Sequence, residues 1–155
     1  MTPAILMAKK AAIEFKTHQY THDPKHASYG EEAAEKLQVD ASRVFKTLVV
    51  SLDGRKLAVA VVPVSCMLDM KTAAKAFKVK KAEMAPAAEA ERATGYVLGG
   101  VSPLGQKRRL PTMIDQSANG FETIFVSAGR RGLEIELKAQ DLCRLLDAGF
   151  APLAR

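Results

Sequence analysis

Polar and apolar positions change period several times along the chain, and each change marks an element. Thr2 followed by Pro3 predicts a helix start, because Pro at the first helical position gives up no hydrogen bond. Ile5, Leu6, Lys9 and Ala12 follow at helical spacing. From 13 to 21 the period is two: Phe15, Thr17, Gln19 and Thr21 share one face, and Lys16, His18, Tyr20 and His22 the other. Asp23-Pro24 ends that strand. Ser28 with Glu31 forms a capping box and predicts a helix through EEAAEKL. After a turn at 40–42, strands are expected over 44–52 and 56–64, joined at Asp53-Gly54, a hairpin signal. The run LAVAVVPV is apolar on both faces and reads as a central, doubly covered strand.

Further on, Asp69 caps a helix over 70–77, a short strand or turn covers 79–84, and Pro86 opens a helix to about Arg92. Strands are expected over 112–115, 122–127 and 133–137, with Gly129 and Gly132 flanking a hairpin-like turn at Arg130-Arg131. An amphipathic helix covers 139–146. Strands and helices mix without strict alternation, so the sequence predicts one α+β domain over 1–155 whose mixed sheet curls. No repeat, linker or low-complexity segment divides it.

The stretch from Gly95 to Arg109 breaks both periods. It holds Gly95, Gly99, Gly100 and Gly105 around Pro103, and no helix interior tolerates that pattern. Val97, Leu98 and Val101 suggest a buried strand end that turns sharply and bares backbone N–H groups. Followed by Gln106, Lys107, Arg108 and Arg109, it reads either as a tight turn before a solvated basic strand or as a cradle for an oxyanion or phosphate.

The net charge of +6 over 155 residues favours an acidic partner, most commonly nucleic acid. No apolar run is long enough to span a bilayer, and MTPAILMAKK meets lysines too soon for a signal peptide, so a cytoplasmic protein without membrane contact is expected. Cys66 and Cys143 are far apart and form no disulfide framework or metal pair. Cys143 belongs to the apolar face of the last helix, and Cys66 has no base near it in sequence. His18, His22 and His26 are spaced by four, but Asp23-Pro24 between them breaks any helix that would present all three to a metal. Fingerprints for GxSxG, phosphate-loop and dinucleotide sites are absent, so neither a protein nucleophile nor a cofactor is indicated. Lys46, in VFKTLVV, sits at the start of an apolar strand. It either snorkels from the strand end or meets an anion.

Several stretches together carry a resemblance. They are MTPA at 1–4, the segment ending at Tyr20, HDP at 22–24, FKTL at 45–48, LAVAV at 58–62 and KKAEMA at 80–85. To these add TGYVLGGVSPLGQKRRLPT at 94–112 and RGLEIEL at 131–137. Over nearly its whole length the sequence resembles the YbaK/EbsC family of aminoacyl-tRNA deacylases, and within it the Cys-tRNA(Pro) deacylase type. The resemblance implies a curled, barrel-like six-stranded mixed sheet flanked by helices, as in the editing insertion domain of bacterial prolyl-tRNA synthetase. The family's GxxxP loop matches Gly99 to Pro103, so Val101 and Ser102 lie in it. Its lysine matches Lys46, which in that likeness reaches the terminal phosphate or adenosine and holds the ester. Tyr20 and Tyr29 match aromatic pocket positions, Thr47 a polar neighbour and Ser127 a small polar wall. The acid after RGL is commonly Asp in the family and is Glu134 here, a departure that changes its reach.

The implied reaction needs no protein nucleophile. Cysteine mischarged on tRNA(Pro) carries a thiol that attacks its own ester, giving a cysteine thiolactone and free tRNA. Backbone N–H groups of Gly99 and Gly100 are the expected oxyanion donors. Lys71, Lys75, Lys78, Lys107, Arg108 and Arg109 either contact tRNA phosphates or form a solvated face. The resemblance also implies transient association with prolyl-tRNA synthetase. Two rivals stay open: a deacylase of Ala-tRNA(Pro) or another aminoacyl-tRNA that uses water, and a non-catalytic module that binds tRNA or nucleotide.

Overall fold

The computed structural model describes residues 1–26 and 28–155. Helix α1, Pro3–Lys10, starts where Thr2 accepts the Ile5 N–H, and it buries Ala4 and Ala8. Strand β1, Phe15–Gln19, leads through the Asp23-Pro24 region to α2, Tyr29–Leu37, where the Ser28 hydroxyl accepts the Glu31 N–H. Strands β2, Phe45–Leu52, and β3, Lys56–Pro63, pair as the predicted hairpin. Asp53 and Gly54 both have positive φ, 53° and 66°, as a tight two-residue turn between twisted strands requires. Asp69 accepts from the Lys71 and Thr72 amides and starts α3, Met70–Ala76. Next come β4, Ala82–Met84, and α4, Ala87–Thr94. After the Gly-rich segment follow β5, Thr112–Asp115, a 3-10 turn at Gln116–Gly120, and β6, Ile124–Arg130. Strand β7, Leu133–Leu137, helix α5, Ala139–Leu146, and β8, Gly149–Ala151, complete the chain.

The strands form two sheets. The larger runs β4-β2-β3-β5-β8, mixed, with β3 near its centre and buried from Ala58 through Pro63. The smaller, β1-β7-β6, is antiparallel. They join where Val44 bridges Phe125 and the Phe125 N–H donates to the Arg43 carbonyl. The result is an α+β fold whose sheets curl around one main core of β2, β3, β6 and β7 residues without closing a barrel. Leu133, Ile135 and Leu137 point into that core. Glu134 and Glu136, between them, point to the other face.

Three features differ from the sequence reading. Among the described residues there are eight strands in two sheets where the resemblance implied one six-stranded sheet; β4 falls within the short strand or turn expected over 79–84, and β8, three residues long, is too short to show a period. The Gly-rich segment contains no strand. Its amides close turns, Gly95 to the Glu91 carbonyl and Gly100 to that of Val97, while Lys107 and Arg108 donate back to Thr94 and Ala93. Val97 and Leu98 are exposed, and the buried apolar residues of this segment are Tyr96, Val101 and Leu104. Among the described residues no helix is long and apolar enough to cross a membrane.

Candidate active site

Between the outer face of the small sheet, the start of β2, α2 and the Gly-rich loop lies a cavity of about 340 Å³. Its floor is Ser127 on β6 and Glu134 on β7, which are direct cross-strand neighbours. One wall is Lys46, Thr47 and Leu48 from β2; another is Tyr20 and Tyr29; Leu98, Gly99 and Val101 form the rim. The structure therefore brings together eight of the residues named from sequence: Tyr20, Tyr29, Lys46, Thr47, Gly99, Val101, Ser127 and Glu134.

The electrostatics of the pocket are set by burial. Glu134 is 6% exposed, and no group among the described residues hydrogen-bonds its carboxyl. Desolvation pushes its pKa up to about 8, so near neutrality it is largely protonated. Burial, and secondarily Glu134, push the Tyr20 phenol up to about 12, so it stays a donor. Lys46 is half-buried and makes no ion pair among the described residues, leaving its ammonium for a ligand. The Thr47 hydroxyl is buried without a partner in the cavity wall, a polar atom that a bound molecule would satisfy.

Behind Tyr29 stands a charged strut. Glu32 is fully buried, takes a 2.6 Å hydrogen bond from His22 Nδ1, accepts the Asp23 N–H at 2.7 Å, and lies 3.1 Å from Lys36 Nζ. Burial alone would raise its pKa; these bonds outweigh it and bring it down to about 2. The strut ties His22 and Asp23 to α2, and the His22 ring packs 5.3 Å from that of Tyr29. The other two histidines are also tied to carboxylates, His18 to Glu136 and His26 to Glu35. Cys143 packs beside the core and donates to the Ala148 carbonyl.

The rim is clamped by residues that sequence reading missed. Arg131 donates from Nε and Nη2 to the Leu98 carbonyl and stacks its guanidinium 4.2 Å from the Tyr29 ring centre. Glu91 accepts the Leu98 N–H, and the Tyr96 hydroxyl donates to the Leu104 carbonyl across the loop. Gly99 sits at φ +88° beneath this clamp, where a Cβ would lie 2.6 Å from the Tyr29 ring. Only the RGL match near Arg131 hinted at the clamp. Ser28, Gly30, Val44, Phe45 and Leu98 also line the cavity, each beside a motif residue in sequence.

Nine of the residues named from sequence lie outside this cavity's wall. The Gly100 N–H is engaged by the Val97 carbonyl and Gly100 lies outside the cavity wall, which corrects its role as oxyanion donor. Ser102 is fully buried, with its hydroxyl accepting the Leu104 N–H, and Pro103 lines a different, smaller cavity beside Met7; both are loop struts. Lys107 is exposed, its N–H held by Thr94. Lys71, Lys75 and Lys78 belong to α3 or its end, over the second apolar cluster, and none lines the pocket. Arg108 and Arg109 line a cleft near the far end of β2.

Comparison with known proteins identifies the family. Residues 23–145, which include most of the pocket, match the aminoacyl-tRNA editing domain model. The chain belongs to the YbaK/EbsC family of aminoacyl-tRNA editing domains. It is 37% identical over 98% of its length, and 92% of the relative's, to EbsC of Enterococcus faecalis, a proposed Cys-tRNA(Pro)/Cys-tRNA(Cys) deacylase. It is 31% identical to YwhH of Bacillus subtilis, an uncharacterized protein, over 72% of this chain and 71% of that one. Two crystal structures share the editing-domain fold at about a fifth identity. Hypothetical protein APE2540 has a TM-score of 0.89, covering 99% of this chain and 100% of that one. A proposed trans-editing enzyme for prolyl-tRNA synthetase has a TM-score of 0.85, covering 100% and 99%.

Proposed function

We propose that this editing domain is a deacylase that removes cysteine from tRNA(Pro), the substrate thiol displacing the tRNA from its own ester. The observation that carries the reading is the make-up of the pocket wall. It offers a free ammonium at Lys46 and a buried carboxyl at Glu134, but no histidine or cysteine among its described residues to form a nucleophile and base. A reaction whose nucleophile arrives with the substrate fits such a wall.

In this reading Lys46 holds the anionic 3′-terminal region, and Glu134 meets the α-amino group, whose positive charge favours the ionised carboxylate. The Gly99 and Val101 amides, which have no backbone acceptor among the described residues, face the developing oxyanion. Tyr20 and Ser127 confine the side chain so that sulfur approaches the carbonyl carbon. The C–S bond forms as the C–O bond to ribose breaks, and the thiol proton leaves to solvent or to the departing 3′ oxygen. Holding the reacting atoms together in this way contributes up to roughly 7–11 kcal/mol in the best intramolecular cases. The work would be done in the cytoplasm, with prolyl-tRNA synthetase as transient partner; one structural neighbour is described as a trans-editing enzyme for that synthetase.

Single-turnover cleavage of Cys-tRNA(Pro) by wild type and Lys46→Ala, with Ala-tRNA(Pro) as control, tests this. Loss of cysteine alone, abolished in the variant, is expected. Equal cleavage of both substrates refutes the thiol mechanism in favour of water, and no cleavage by folded protein refutes deacylation.

A further inference from the structure

A second concavity, of about 580 Å³, opens where the β2–β3 hairpin, the end of α4 and residues 108–111 meet. Its walls carry Arg55, Lys56, Arg92, Arg108 and Arg109 against one carboxylate, Glu89. All six are exposed, and none forms an ion pair among the described residues. Five unpaired cations held around one hollow repel each other, an arrangement that a polyanion relieves. The hollow is also well supported. The Arg108 N–H donates to the Ala93 carbonyl, the Lys107 N–H to Thr94, and the Val59 N–H to Pro111, which fixes the three segments to one another.

The cleft and the pocket draw on the same elements, though no residue lines both. Thr47 lines the pocket and Ser51 the cleft; four residues apart on β2 they lie on one face, about 13 Å along the strand. Likewise Arg92 and Ala93 of α4 line the cleft, the loop that follows supplies Leu98, Gly99 and Val101 to the pocket, and the chain returns to the cleft at Arg108. A single polymer with one anionic group per residue, its end in the pocket, would pass the cleft within that distance. We infer that the cleft docks backbone phosphates of the RNA whose 3′ end enters the pocket, an assignment that rests on the deacylase reading for which end lies where. Binding through phosphates carries no sequence choice but adds affinity and a steep salt dependence. Tethering also raises the local concentration of the ester at Lys46.

The test combines Arg55→Gln, Arg92→Gln and Arg108→Gln and measures binding of uncharged tRNA(Pro) transcript by fluorescence anisotropy over a series of KCl concentrations. The plot of log affinity against log salt should lose about one unit of slope per cation removed, and affinity at fixed salt should fall at least about tenfold. A matched variant of the α3 lysines, Lys71→Gln, Lys75→Gln and Lys78→Gln, should leave the slope near wild type. An unchanged slope in a cleft variant with wild-type circular dichroism overturns the assignment, as does a slope that falls only in the α3 variant. Loss of retention on prolyl-tRNA synthetase with tRNA binding intact also overturns it, in favour of a protein contact. Wild type is assayed alongside for Cys-tRNA(Pro) cleavage. Cleavage with an unchanged slope refutes the cleft alone; no cleavage with a lowered slope refutes the deacylase reading and leaves the cleft.

Discussion

Glu134 is the sharpest place to test the pocket. Among the described residues its carboxyl has no hydrogen-bond donor or ion pair, and its burial pushes its pKa from the usual 4.5 or so to about 8. The folded protein therefore holds a proton there that the unfolded chain releases near pH 4.5. Stability from this group is fully present below that value, is lost as pH rises toward 8, and changes no further above it. At roughly 1.36 kcal/mol per pH unit, the whole loss is about 5 kcal/mol, an upper figure because relaxation and water entry reduce it. Glu134→Gln keeps the shape and cannot ionise. Denaturant midpoints of wild type and variant, followed from pH 4 to 9, isolate the effect, since every other titrating group is common to both. The variant should be near wild type at the acid end and clearly more stable at the alkaline end, with the gap opening between about 4.5 and 8. Parallel curves across that range would refute a neutral, unpartnered Glu134. A cationic α-amino ligand should pull the transition to lower pH, because it favours the charged form.

Three further outcomes follow from the rim and the strut. Gly99→Ala places a Cβ 2.6 Å from the Tyr29 ring and 2.7 Å from Arg131 Nε at φ +88°; with about 1–2 kcal/mol of left-handed strain, the loop should shift and the single-turnover rate fall roughly tenfold or more. A rate equal to wild type in a folded variant would remove the loop from the site. Arg131→Ala frees the Leu98 carbonyl and the Tyr29 face, and steady-state assays should show KM up roughly fivefold, about 1 kcal/mol, with kcat close to wild type. Glu32→Gln leaves His22 and Lys36 without their buried anion and should cost about 3 kcal/mol in chemical denaturation at pH 7. Because the Glu32 pKa is lowered, that cost should be present above about 4.5 and shrink as pH falls toward 2; a cost independent of pH would contradict the pairing.

Much of the fold was legible because local signals act within one element. Thr2-Pro3, Ser28, Asp53-Gly54 and Asp69 each act on backbone groups a few residues away, although only half of the expected capping box forms, since the Ser28 N–H goes to His26 Nδ1 and not to Glu31. Strand β3 read as central because burial on both faces leaves no polar alternation. What did not read was set by distant partners. Strand β8 exists because it pairs with β5, and the tail after it is held by Asp115, which accepts the Leu153 and Ala154 amides. No local period in GFA announces either contact.

The site divides along the same line. Lys46, Thr47, Tyr20, Ser127 and Glu134 were named through the resemblance and line one cavity: Ser127 and Glu134 because core residues on either side of them fix their strands' alternation, Tyr20 just past the end of β1, and Lys46 and Thr47 as neighbours where β2 begins. In the Gly-rich loop, alternation gives no such guide. A left-handed turn at Gly99 rotates successive peptide planes, so Gly99 and Val101 line the cavity while Gly100 donates into the turn and Ser102 is buried behind it. What packs that turn, the Arg131 guanidinium stacked on Tyr29 and bonded to Leu98, comes from the turn between β6 and β7, more than thirty residues later. The oxyanion role proposed for Gly99 and Val101 would therefore rest on two alternate amides of a loop held shut by a cation–aromatic clamp, and changing the clamp should alter binding before it alters chemistry.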